Sequence, residues 1–138
     1  MPDNRVITKI TIPASVRMQC PELLFKPELY GKRSMSLHAL SYASVQASDF
    51  YCRKELCKNI ILSGGTTMYD GLADRLKQEI TKLAPAGAEI RVIASADRKF
   101  AVWKGASTLA SLSTFSASWV TAEDYQEHGA AVIHRKCS

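Results

Sequence analysis

The sequence is short of the features that announce a dedicated metal, membrane or nucleic-acid site. Its four cysteines, Cys20, Cys52, Cys57 and Cys137, contain no CxxC pair, and Cys52 and Cys57 would point to different sides of a helix. Neither zinc nor a disulfide framework is signalled. No apolar run approaches the length that crosses a membrane, and no charged, apolar, small-residue series follows Met1. A signal peptide and a membrane span are therefore not expected, and the expected compartment is reducing cytosol with free thiols, Cys137 the most exposed of them. The histidines, His38, His128 and His134, are isolated, and no Ser/His/Asp order or glutamate pair suggests catalysis. Lys and Arg exceed Asp and Glu by 18 to 13, a net charge of +5. No basic block concentrates that charge: the longest clusters are Lys32-Arg33 and Arg135-Lys136. Solvated faces follow, with no nucleic-acid partner.

What is present is an ordinary globular composition, 46% hydrophobic and 22% charged over 138 residues, enough for one domain's worth of buried core. The most informative stretch is Ile60-Ile61-Leu62-Ser63-Gly64-Gly65-Thr66-Thr67-Met68-Tyr69, an apolar strand running into paired glycines and then a helix. Gly-Gly between strand and helix is by itself more often turn chemistry than a ligand site. At the carboxyl end of a strand in an open α/β sheet, however, it lets a ligand touch backbone, and the free N–H groups of the following helix favour negative charge.

Periodicity predicts a βαβ unit: a strand at residues 59–63, a helix over 69–83 and a strand at 89–94. Leu72, Leu76, Ile80 and Leu83 form the core stripe of that helix, with Arg75, Lys77, Gln78 and Lys82 opposite and Asp70 capping its start. Upstream, residues 6–12 alternate as a strand, with residues 16–18 as its hairpin partner and Pro21 in the first turn of a short helix. Helices are expected over 36–47 and 49–58, after an irregular segment at 25–34. Downstream, 101–112 reads as a helix with Val102, Leu109 and Leu112 facing the core, and 121–127 as a short helix capped by Gly129.

The series from Asn59 to Tyr69, then Ala73-Asp74-Arg75, Glu79-Ile80-Thr81, Arg98-Lys99-Phe100-Ala101-Val102-Trp103, Leu109-Ala110-Ser111-Leu112-Ser113-Thr114-Phe115 and Val132-Ile133-His134-Arg135-Lys136-Cys137 closely resembles the C-terminal part of actin. The likeness extends through Pro2-Asp3, Val6-Ile7-Thr8, Cys20-Pro21-Glu22, Leu24-Phe25, Pro27 and Arg53-Lys54-Glu55-Leu56. It spans essentially the whole chain. It implies an α/β fold, a partial actin-like (ribonuclease H-like) ATPase fold with a βαβ unit plus C-terminal helices. The implied domains are 1–30, a remnant of the small lobe with a β-hairpin and short helix; 31–100, the nucleotide-side α/β subdomain; and 101–138, the C-terminal helices and tail. Roughly the first two thirds of an actin would then lie outside this sequence, together with the phosphate hairpins and the metal-holding acids.

By that resemblance Gly64, Gly65, Thr66, Thr67, Met68 and Tyr69 touch the ribose, phosphates and adenine of ATP or ADP, and Lys99 lies beside adenine and ribose. A side chain at Gly65 is expected to abolish that contact through strain and blocked approach. None of the 13 acidic residues lies in a strand-flanked Asp-Gly hairpin. No metal ligands are therefore expected in this chain, nor independent ATP hydrolysis. The family's partner cleft matches Lys104, Thr108, Leu109, Leu112, Thr114 and Ser118. Lys104, Thr108 and Ser118 stand where larger apolar residues are usual, so altered preference among actin-binding proteins is expected. Lys32 and Arg33, in the segment matching the plug that contacts the opposite filament strand, either weaken that contact or mark a solvated loop tip. The segment Pro13-Ala14-Ser15 resembles a local insertion. Two functions remain open. In one, this is part of a cytoplasmic cytoskeletal protein whose complete form binds Mg-ATP, polymerises with actin or actin-like subunits and hydrolyses ATP. In the other, it is a truncated, divergent noncatalytic module that binds actin or actin-binding proteins.

Overall fold

From Ala14 onward the chain alternates short helices with two brief strands, in the order α1 (Ala14–Glu22), α2 (Leu37–Ala47), α3 (Arg53–Lys58), β1 (Ile60–Ile61), α4 (Leu72–Leu83), β2 (Val92–Ile93), α5 (Ala101–Ala110), α6 (Ala122–His128) and α7 (Val132–Lys136). The computed structural model describes residues 11–136. These elements form two compact units. The first takes the chain as far as Leu62 and resumes for Tyr69–Ala94; the second takes Ser63–Met68 and the chain from Ser95 onward.

In the first unit β1 and β2 pair in parallel, Ile60 opposite Val92 and Ile61 opposite Ile93. The amides of Ile60 and Leu62 donate to Arg91 and Ile93 at 3.2 and 2.9 Å. Parallel neighbours need a crossover, and α4 supplies it, as the periodicity predicts. Leu72, Leu76 and Ile80, four residues apart, put one face of α4 into a core shared with Phe25, Cys57, Leu62 and Ile90. Leu76 and Ile80 are each 1% exposed. Leu37, Tyr42 and Val45 of α2 are half-buried against the same cluster.

Several expectations need correction here. Residues 16–18 are not a hairpin strand but part of α1, whose first bond runs from the Arg17 amide to the Pro13 carbonyl at 3.2 Å. Three alternating residues are too few to separate period two from period 3.6. Pro21 lies in the last turn of α1, not the first, where its missing N–H and ring help end the helix. The strand expected at 6–12 lies outside the described residues except for Thr11 and Ile12, which are not in a strand. Leu83 is the last residue of α4, 45% exposed and outside the core cluster. Asp70 does not cap α4. Gly71 occupies the N-cap with φ 75° and no side chain bonds there, so the chain enters the helix through a left-handed residue instead of an Asp cap.

Arg75 also departs from its expected solvent-facing role. Its guanidinium donates to Glu79 at 2.8 Å and to Glu22 at 3.1 Å, and lies 5.0 Å from the Phe25 ring centroid. It thereby ties the end of α1 to α4. Cys57 is buried and Cys20 and Cys52 are exposed, while Cys137 lies outside the described residues.

In the second unit α6 begins with a capping box. Thr121 accepts from the Asp124 amide at 3.2 Å, and the Asp124 carboxylate accepts from the Thr121 amide at 3.1 Å. Gly129 stands at its C-cap as predicted. Lys136 of α7 donates to the same carboxylate and, at 2.8 Å, to the Trp119 carbonyl, which fastens α7 to the start of α6. Val132, on the same helix α7, is 2% exposed. By contrast Val102, Leu109 and Leu112 are exposed, against expectation. Within its unit α5 packs chiefly on the short turns at its two ends.

The Lys136 ammonium first, then the Thr121 amide and hydroxyl, hold the Asp124 carboxyl at about 2, below its ordinary 3.8. A group depressed in the folded state stabilises above its unfolded value, and that contribution disappears as pH falls through the folded value. The Asp124 contribution should therefore be full above pH 3.8 and gone below about 2. Thermal melts of Asp124→Asn against wild type across that window provide the check. The two curves should converge at the acid end, and a gap that does not change with pH would refute the assignment.

Candidate functional site

The turn after β1 is built by a backbone that only glycine adopts easily. Gly64 has φ +91°, while Gly65 has an ordinary φ, and a Cβ placed on either would meet nothing within 4 Å. The expectation of strain at Gly65 is thus corrected: the strained position is Gly64, and the space over both residues is open to an approaching group. Gly65–Met68 coil into one turn of 3₁₀ helix. Thr67 closes it, its amide and hydroxyl donating to the Gly64 carbonyl at 3.1 and 2.8 Å.

Arg98, which the sequence did not single out, holds this turn. Its Nε and Nη2 donate to the Thr67 carbonyl at 3.0 and 2.9 Å, its Nη1 donates to the Ser95 carbonyl at 2.9 Å, and its own carbonyl accepts from the Gly64 amide at 3.0 Å. No local spacing reveals a contact across 31 residues. The only available signal was a second cation adjoining Lys99. Lys99 occupies the same Arg98–Phe100 turn, its ammonium 5.2 Å from the Phe100 ring centroid.

The structure therefore brings Gly64, Gly65, Thr66, Thr67, Met68 and Lys99 into one unit. Tyr69 belongs to the other, where it lines a cavity of about 690 Å³ with Val16, Phe25, Leu72 and Arg75. Met68 and Tyr69 are partly exposed, at 39% and 45%, so neither is consumed by a core. Among the described residues no group of three or more His, Cys, Asp or Glu is placed to hold a metal ion.

The six partner-cleft residues all fall in the second unit. Lys104, Thr108 and Leu109 lie on α5, Leu112 follows it, and Thr114 and Ser118 lie in the 3₁₀ turn Ser113–Ser118. All are exposed. Lys104 is drawn into an ion pair with Asp97 at 2.6 Å, and its ammonium holds the Asp97 carboxyl below its ordinary range.

Two parallel strands joined through α4 define an α/β protein, and a positive-φ glycine turn follows β1 in the chain. The actin family model matches residues 1–138. The chain belongs to the actin family.

Proposed function

We propose that this chain carries the adenosine side of an actin-type nucleotide site, being the C-terminal portion of a ribonuclease H-like ATPase. The observation that carries the reading is the Gly64–Thr67 turn, held open by Arg98 with Lys99 alongside. Gly64 and Gly65 admit ribose and phosphate to the backbone, Thr66 and Thr67 offer hydroxyls, and Met68 and Lys99 offer apolar and cationic surface for the purine. The described residues supply no carboxylate cluster for Mg. The metal and the water-orienting group would come from the remainder of the complete molecule, which binds Mg-ATP, polymerises and hydrolyses its nucleotide in the cytoplasmic cytoskeleton.

The test is photolabelling with Mg-8-azido-ATP of the native protein captured by an antibody against residues 131–138. Label on the tryptic peptide of residues 59–75, displaced by excess ATP, is expected. Displaceable label confined to other peptides, or no displaceable label, would sink the assignment.

A second reading, a noncatalytic module that binds actin or actin-binding proteins, is favoured by the uncovered apolar side of α5, where Val102 and Trp103 are 74% and 71% exposed. Lys104, Thr108 and Ser118 beside Leu109 and Leu112 would then select partners with a less apolar anchor. The size of the captured polypeptide separates the two readings. Actin size supports the first, and a band no larger than 138 residues predicts supports the second.

A further inference from the structure

We propose that Arg98 is the positioning residue of the glycine turn, holding residues 64–68 in their ligand-ready conformation before any ligand arrives. The inference rests on the nucleotide reading of that turn and extends it to a side chain outside the turn. All three guanidinium nitrogens donate to backbone carbonyls: Nε and Nη2 to Thr67, Nη1 to Ser95. Its position is thus set by the turn it grips, unlike that of Lys99, whose ammonium has no oxygen partner among the described residues and rests against the Phe100 ring. One cation of the pair orients backbone while the other remains available to a ligand.

The turn needs such a clamp because a glycine held in one conformation gives up many others that are equally open to it. Gly64 is held at φ +91°, a region that glycine shares with many alternatives. Two bonds fix it from opposite sides. The Arg98 carbonyl receives the Gly64 amide, and the Gly64 carbonyl receives Thr67, whose own carbonyl is gripped by Arg98. Removing the guanidinium leaves the Thr67 carbonyl without these donors, and the turn is then free to sample other conformations. A site competent for only part of the time binds more weakly by that fraction, yet keeps its full number of sites. A lysine cannot replace the fork, because a compact ammonium does not span the Thr67 and Ser95 carbonyls with the same fixed geometry.

The test uses the full chain in the form in which it is isolated, as wild type, Arg98→Ala and Arg98→Lys. Two quantities are measured: amide exchange without nucleotide, and Mg-ATP binding with its stoichiometry. For Arg98→Ala, exchange at Gly64 and Thr67 should accelerate about tenfold or more while the amides of α4 and α5 stay protected. The Mg-ATP Kd should rise roughly ten- to a hundredfold at unchanged stoichiometry, with Arg98→Lys recovering little of it. Unaltered exchange at both amides would overturn the proposal. So would a fall in the number of sites together with lost protection across α5, which would make Arg98 merely a structural residue. If wild type binds no nucleotide but Arg98→Ala still loosens Gly64 and Thr67 alone, the nucleotide reading fails and the positioning of the turn by Arg98 stands.

Discussion

Truncating Leu76 to alanine is expected to cost the first unit about 2–5 kcal/mol. Leu76 is 1% exposed and shares a cluster with Phe25, Leu62, Ile80 and Ile90. The residues around it belong to α4, to the end of β1, to the start of β2 and to the segment after α1, so a void there has walls that cannot collapse together. Loss of transfer free energy and of packing contacts then add. Leu83→Ala serves as the control, because that side chain is 45% exposed on the same helix and should change stability by no more than about 0.5 kcal/mol. Denaturant melts of the two variants decide the matter. Comparable midpoints would mean that the α4 stripe does not carry the core.

How much of this was legible in the sequence depended on whether the signal was periodic or local. The four-residue spacing of Leu72, Leu76 and Ile80 gave both the helix and its buried face, since one stripe repeated over three turns leaves little ambiguity. The glycine turn and the helix ending at Gly129 were legible through backbone chemistry that few other residues share. Val16 to Met18 was not, because an alternation of three residues fits a strand and one turn of helix equally well. The partners of Arg75 and Arg98 were invisible for a different reason. A guanidinium that grips Glu22 from 53 residues away, or the Thr67 carbonyl from 31, leaves no trace in local spacing and looks like a solvated cation. Val102, Leu109 and Leu112 show the opposite limit. Their spacing correctly marks an apolar side of α5, yet pattern alone cannot say whether anything lies against it. Within the second unit that side is exposed.

Replacing Gly64 by valine should eliminate displaceable nucleotide labelling, while the equivalent change one residue later should act by another route. At Gly64 a Cβ would meet nothing within 4 Å, so the penalty is not a collision with protein. It is conformational. Holding a β-branched residue at φ +91° costs at least the 1–2 kcal/mol usual for a left-handed residue with a Cβ. The cheapest relief rotates the peptide and breaks the bond from the Gly64 amide to the Arg98 carbonyl. The Gly64 carbonyl turns with it, away from the Thr67 hydroxyl, so the turn and its grip on Arg98 fail together. Gly65 has an ordinary φ and equally open surroundings, so Gly65→Ala should leave the fold intact and act only by placing a methyl where a ligand would approach. Three measurements separate these effects: melting temperature, exchange at the Thr67 amide, and photolabelling of residues 59–75. Gly64→Val should lower protection at Thr67 and lose the label. Gly65→Ala should keep protection and lose label in proportion to how closely the ligand approaches. Label retained by Gly64→Val would show that the ligand does not depend on this turn, and the nucleotide assignment would then have to be abandoned.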